Sequence, residues 1–353
     1  MSVSPFEDPL FTGLIGDPET ANLFSSDQAL VEMITFETAL AEAEGAEGVI
    51  PAETADVIAA RLAEVELDRT ALAAGVAIDG VVVPELVRQL RESLPANVAG
   101  HVHFGATSQD VIDTSLALRL KRLGVKYDAQ IDRLVAALDT LEARDGAVPV
   151  MAHTRMQAAI PVTASRKIAS WRDPLVRNRH RLTTAISDVA VLHFGGAAGT
   201  LEKLGSKGPA VAARMAQILE LGLPDRARHS ERDAIAALAS VLSLLTGSLG
   251  KFGQDIALLA QSEVGEVRLA SGGGSSAMPH KMNPVQAEML VTLARFNATL
   301  LAGMHQALVH EGERSGSAWT LEWMLLPQMA VAAASSLRLA TELAGSISFQ
   351  ATA

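Results

Sequence analysis

The sequence predicts an all-α protein built as a bundle of long helices. Apolar residues recur at helical spacing over several long runs, the longest from Asp110 to about Arg144. Strand signals are almost absent, Val81-Val82-Val83 before Pro84 being the one short β-branched run. The chain is 49% hydrophobic but only 4% aromatic, with Ala, Leu and Val prominent, which suits closely packed helices.

In order along the chain, residues 27–45 read as an amphipathic helix, and 53–64 and 84–93 as shorter ones. The long pattern follows with Val111, Leu116, Leu120, Leu123, Ile131, Leu134, Leu138 and Leu141. Thr107 or Ser108 is placed to cap its start and Gly146 to stop it. Further long helices are expected at about 162–193, 231–262, 285–310 and 318–347, with Pro174 and Pro327 kinking two of them. The expected division is an N-terminal helical domain over 1–108 and a central long-helix bundle over 109–353. Helices this long and apolar bury more than one face, so self-association is expected.

The net charge of -11 is unevenly distributed. Residues 1–60 hold twelve acidic groups and no Lys or Arg, leaving 28 acidic against 29 basic residues in the remainder. No basic stripe with interleaved aromatics points to nucleic acid. There is no cysteine, which excludes disulfides and thiolate chemistry and fits a reducing, cytoplasmic setting. Glu7 and Asp8 stand where a secretory signal carries positive charge. The uncharged run Ala234 to Gly250 is broken by Ser240, Ser243, Thr246, Gly247 and Ser248, and reads as a buried bundle helix rather than a membrane span.

Three polar, glycine-containing connections do not suit a core. In 100–110, His101, His103, Thr107, Ser108 and Gln109 gather at the start of the longest helix, where free N–H groups and the helix dipole favour an anion. An ordinary cap needs one such hydroxyl. In 151–161, His153, Arg155 and Gln157 alternate with less polar residues before Pro161, a pattern equally compatible with a solvated loop. In 271–284, three glycines, a hinge that could close over a ligand, precede Ser275 and Ser276, and Met278-Pro279-His280-Lys281-Met282-Asn283-Pro284 leads into the next helix. Neither a phosphate loop nor a Gly-x-Ser-x-Gly elbow is present. No His, Asp and Glu grouping has metal spacing, so neither metal nor cofactor is expected.

The run Ser275-Ser276-Ala277-Met278-Pro279-His280-Lys281-Met282-Asn283-Pro284 resembles the signature loop of the fumarase/aspartase superfamily, which includes adenylosuccinate and argininosuccinate lyases. Thr107-Ser108-Gln109-Asp110 resembles its first shared region and 153–161 its second, so the resemblance covers about residues 20 to 325. It implies a nearly all-helical subunit, four copies joined through a twenty-helix core, and sites assembled from three subunits. It also implies a small C-terminal domain, for which little chain follows the last long helix here.

Phe104 to Asp110, Phe194 to Leu201 and Glu313 to Trp319 followed by Glu322-Trp323 are similar to the cycloisomerase branch. Aligned on Gln157 and Pro161, Arg155 stands where the lyases carry a histidine proposed as catalytic acid. Members of that branch often have tryptophan there, and arginine where His153 stands. The resemblance implies reversible lactonisation of 3-carboxy-cis,cis-muconate, a tricarboxylate, to 4-carboxymuconolactone. Ser275 matches the superfamily's catalytic serine, with Lys281 and the glycine loop stabilising its alkoxide and His103 as an alternative acid. Thr107, Ser108, Gln109, Thr154, Arg155, Gln157, Ser276, Met278, Asn283 and Arg314 are the expected substrate-binding residues. A lyase eliminating fumarate from an adenylosuccinate-type substrate is the alternative activity. A non-catalytic structural protein on the same fold, as among lens crystallins, is the non-enzymatic one.

Overall fold

A computed structural model of the chain describes residues 4–270, 272–274, 278 and 281–351. Two short helices, α1 (Thr12–Ile15) and α2 (Pro18–Leu23), lead into α3 (Ser26–Ala46). Asp17 and Ser25 cap α2 and α3 by accepting from the N–H groups of Thr20 and Gln28. An N-terminal layer continues through α4 (Ala52–Leu62), α5 (Arg69–Asp79), α6 (Val83–Glu92) and α7 (Ala96–Ala99). Val81-Val82-Val83 is not a strand: Val83 begins α6, because Pro84 supplies the preset φ that suits a first helical turn.

Next come α8 (Ser108–Asp145), the hairpin β1 (Pro149–Thr154) and β2 (Gln157–Thr163), α9 (Ala164–Val189), a 3-10 turn at Glu202–Lys207 and α10 (Gly208–Leu219). The chain then runs through α11 (Asp233–Leu259), β3 (Val267–Leu269), α12 (Val285–Gln306), α13 (Ser317–Ser346) and β4 (Ile347–Phe349). The long helices match the periodic runs closely, and α9 and α13 continue through Pro174 and Pro327.

One apolar core runs the length of the bundle between α8, α9, α11, α12 and α13. Trp171 of α9 lies between Phe252 of α11 and Phe349 of β4, with ring centroids 5.0 and 6.1 Å away, and its Nε1 donates to Asp255 at 2.6 Å. Such ring pairs add about 0.5–1.5 kcal/mol each beyond their buried area. α11 is long and apolar enough by composition to cross a bilayer, and most of it is buried against α9, α12 and α13. A second core joins α3, α4 and α6 to the first turns of α8 and takes in α10 from far along the chain.

The bundle has two ends, and α8 sets the distance between them. Thirty-eight residues at a helical rise give about 57 Å. At the start of α8, Thr114 Oγ1 donates to the His193 carbonyl beyond α9, Asp113 pairs with Arg232 before α11, and Trp319 of α13 donates to Asp113. At the far end, Asp145 accepts from Phe349 N–H at 2.9 Å and Arg144 donates to the Ile347 carbonyl, fixing β4 against the end of α8.

α3 carries three buried acids, Glu32, Glu37 and Glu44. Glu44 has no hydrogen-bond partner for either carboxylate oxygen. Burial and the neighbouring Glu37 push it up to about 8, whereas an unfolded glutamate titrates near 4.5. The fold therefore favours its neutral form. The stability it contributes is complete below about 4.5 and is lost as pH rises through 8. Glu44→Gln should stabilise the protein relative to wild type, with the gap at least about 2 kcal/mol larger at pH 8 than at pH 5. Urea unfolding at the two pH values checks this, and an equal gap at both would show that Glu44 is ionised in the fold.

Candidate active site

At the first end, Asp110 organises the start of α8. Fully buried, it accepts from Thr107 N–H (2.9 Å), Gly195 N–H (2.9 Å), Gly196 N–H (3.0 Å) and His229 Nε2 (2.7 Å). The carboxylate thus caps its own helix and holds the glycine segment after α9 across it. Gly196 has a positive φ of 68°, and a Cβ there would sit 2.7 Å from the Gly105 carbonyl, so the two loops need glycine to touch.

Arg314 closes the same site from the segment before α13. Its guanidinium donates to Gln109 Oε1 (3.0 Å), Thr107 Oγ1 (3.1 Å) and the carbonyls of Gly196 (3.3 Å) and Ala197 (3.2 Å). Three of the expected residues therefore meet here. The Gln109 amide nitrogen is already engaged, donating to Asp113 Oδ2 (3.0 Å) and the His229 carbonyl (2.7 Å). Ser108 occupies the first turn of α8 beside them.

Beneath Gln109 lies a buried ionic network. Arg232 donates to Asp113 and Glu322, the closest contacts being 2.7 and 2.6 Å, with all three side chains 1–2% exposed. Burial alone would raise the Asp113 carboxyl, but Arg232 outweighs it and holds it below the usual range. Burial raises Glu322 despite the same arginine. His193, beside the network, is pushed down to about 4 by burial and is neutral at physiological pH.

His103 sits at the edge of this end with a left-handed φ of 61°, its Nδ1 2.6 Å from Glu37 Oε1. Burial alone would lower its pKa, but the adjacent Glu37 carboxylate outweighs that and the net shift is upward.

The second and third segments lie at the other end. β1 and β2 form a two-stranded hairpin whose turn is Arg155-Met156, with φ of 50° and 64° and Thr154 opposite Gln157. Two positive φ values make the turn of the twist-compatible two-residue kind. Thr154, Arg155 and Gln157 are exposed, as are Met156 and Ile160 at 75% and 65%. The hairpin is tied down at its base, where Met151 N–H donates to buried Glu266 (2.6 Å) and Lys167 donates to the Met151 carbonyl (2.9 Å). A cavity of about 670 Å³ opens beside it, with Lys167, Lys251 and Asp255 among its lining.

In the third segment, Gly273 and Asn283 exchange backbone hydrogen bonds of 3.0 and 2.9 Å. A Cβ at Gly272 would lie 2.4 Å from the Met282 side chain, and one at Gly273 2.6 Å from that of Val285. The glycines expected as a hinge thus let the two stems of the loop close its neck. Lys281 and Met278 are exposed on the loop. Ser275 and Ser276 lie outside the described residues.

The described residues among those expected therefore fall into two groups, at opposite ends of α8. Sequence reasoning missed Asp110, Arg232, Glu37 and Glu322 as organisers. For the three acids the one available signal was a carboxylate on an otherwise apolar helical face, and for Arg232, just before α11, there was none.

The whole arrangement has relatives. A family profile described as lyase matches residues 18–297. The 3-carboxy-cis,cis-muconate cycloisomerase of Pseudomonas aeruginosa is 40% identical over 322 residues, covering 90% of this chain and 70% of that protein. Nitrosuccinate lyase of Streptomyces davaonensis is 36% identical over 333 residues, covering 90% of this chain and 70% of that protein. The crystal structure of 3-carboxy-cis,cis-muconate lactonizing enzyme from Pseudomonas putida superposes with a TM-score of 0.90 at 37% identity, covering 97% of this chain and 78% of that one. With its motif loops on the ends of a long-helix bundle, the chain belongs to the fumarase/aspartase superfamily.

Proposed function

We propose that the chain is a cycloisomerase that lactonises 3-carboxy-cis,cis-muconate to 4-carboxymuconolactone, a step of aromatic catabolism in the protocatechuate branch of the β-ketoadipate pathway. The observation that carries this reading is Arg155 at the exposed tip of the hairpin turn. A guanidinium stays protonated and cannot trade a proton near neutrality, so the lyase role of a histidine at this position has no group to perform it. It can hold a carboxylate through two parallel hydrogen bonds, which suits a tricarboxylate. The high similarity to cycloisomerases supports the same reading.

In the reaction, one substrate carboxylate oxygen adds to a double bond and the neighbouring carbon takes a proton. The intermediate between these events carries extra negative charge on a second carboxylate. Fixed donors lower its energy, and an acid over the carbon completes the addition. Ser275 is the proposed proton donor. Lys281 and Asn283 stabilise the charge, and Ser276, Met278, Thr154 and Gln157 complete the pocket. Thr107 and Ser108 supply the helix start, with Gln109 acting through its hold on Arg314.

Because the two groups of residues stand about 57 Å apart along α8, the proposal includes a homotetramer in which different copies complete each site. The exposed apolar hairpin is consistent with cover by a neighbour. A cytoplasmic location is proposed with it, and no membrane or nucleic-acid partner.

Purified protein should turn over 3-carboxy-cis,cis-muconate and not adenylosuccinate, and the reverse result would replace the reading with the lyase one. Ser275→Ala should lower kcat by about 10² or more. Arg155→Lys, which keeps charge but loses the fork, should raise KM more than it lowers kcat. A kcat loss at unchanged KM would place Arg155 at the transition state instead.

A further inference from the structure

Glu37 and Glu44 are seven residues apart on one face of α3, two turns of helix, and both are buried. Glu37 Oε2 has no hydrogen-bond partner, and Oε1 meets the His103 ring at 2.6 Å. The other charged groups facing His103 are Asp110 at the start of α8 and Arg91 of α6. Arg91 donates to the Val102 carbonyl at 2.9 Å, which fixes the backbone from which His103 turns into its left-handed conformation. A non-glycine residue at such a φ carries a strain cost. The surrounding contacts sustain that cost to aim one imidazole at one buried carboxylate.

A buried carboxylate with a single charged neighbour is stable only while that neighbour carries the opposite charge. Glu44 offers none, since at neutral pH it is itself uncharged. With Nδ1 against Glu37, the ring nitrogen turned away is Nε2, four residues before Thr107 and the Arg314 clamp.

We propose that Glu37 is a positioning residue that holds His103 as an imidazolium, so that Nε2–H is a charged donor for one carboxylate of the substrate. This rests on the tricarboxylate reading above. A neutral imidazole would offer the same nitrogen as an acceptor and repel a carboxylate. The ion pair is neutral as a whole, and its positive member is the one with a ring nitrogen left over for a ligand.

The test has two arms. In the full-length protein without substrate, carbon-13 NMR of the histidine ring, assigned with His103→Gln, should show His103 titrating above the ordinary histidine value of about 6.5. In Glu37→Gln it should titrate below that value. Wild-type titration at or below 6.5 overturns the proposal, and so does a His103 titration that Glu37→Gln leaves unmoved. In the kinetic arm, Glu37→Gln and His103→Gln should each raise KM for 3-carboxy-cis,cis-muconate about tenfold at pH 7, with kcat changed much less. A large kcat loss at constant KM would make His103 a proton donor and overturn the binding role. Should wild type fail to turn over this substrate at all, the functional reading falls, and the titration arm still decides whether Glu37 controls His103. If Glu37→Gln does not fold, the wild-type titration and His103→Gln kinetics decide it.

Discussion

Two inactive variants of this chain, mixed, should recover activity. The first combines Thr107→Ala with Arg314→Ala and removes the clamp at the start of α8. The second is Ser275→Ala, in the sequence between β3 and α12. Each alone should retain about 1% of wild-type activity or less. If different subunits supply the two ends of each site, random reassembly of equal amounts makes about one quarter of the sites fully wild type. Reversible dissociation and reassociation, or co-expression with two affinity tags, followed by assay, measures the recovery. Activity that stays at the level of the separate variants would mean that one subunit supplies both ends, and the shared-site proposal would be lost.

The second large effect is expected at Arg232. Its guanidinium is the only cation shown contacting both Asp113 and Glu322 among the described residues, and neither acid reaches solvent. Arg232→Leu leaves two buried carboxylates with their charge uncompensated. Trp319 and Gln109 still donate to Asp113, but neutral donors do not replace a charge. The expected loss is about 3–5 kcal/mol in urea unfolding. Arg226→Leu, which removes the exposed pair with Glu231, should cost under about 0.5 kcal/mol. Replacing Asp113, Arg232 and Glu322 together by apolar residues should restore much of the loss, because burial of a charge, not absence of a bond, is the cost. A single Arg232→Leu as stable as the exposed control would show that these acids are protonated in the fold.

The bundle was legible because a 3.6-residue period over more than twenty residues leaves little else for α8, α9, α11, α12 and α13 to be. The hairpin was not. Beyond its base at Val150 the hairpin is largely exposed and shows no sustained alternation, and Arg155-Met156 lacks the glycine or asparagine that marks a two-residue turn. α5 and α10 were missed because short, alanine-rich helices carry too few large apolar residues to show a period. The first motif declared its place as a helix start. Its supports did not, since Glu37 lies 66 residues and Arg314 207 residues from the groups they hold, and isolated charged residues ordinarily face water. The functional resemblance lay in contiguous loops, while the forces that shape those loops come from residues scattered along the chain.

α8 also constrains how such a protein can change length. Deleting one residue from its middle would turn everything beyond by about 100° and draw it in by about 1.5 Å. Within one subunit this would turn Ile131, Leu134, Leu138 and Leu141 out of the core they share with α9, α11 and α13. In the proposed tetramer, contacts between copies on the far side would lose register as well. Insertions and deletions are therefore tolerable in the turns around residues 63–68 and 223–227, where the chain is largely exposed. In α8 they are not, and its 38 residues act as a gauge block for the subunit's own core and, in the proposed assembly, for the distance between the two ends that different copies bring together.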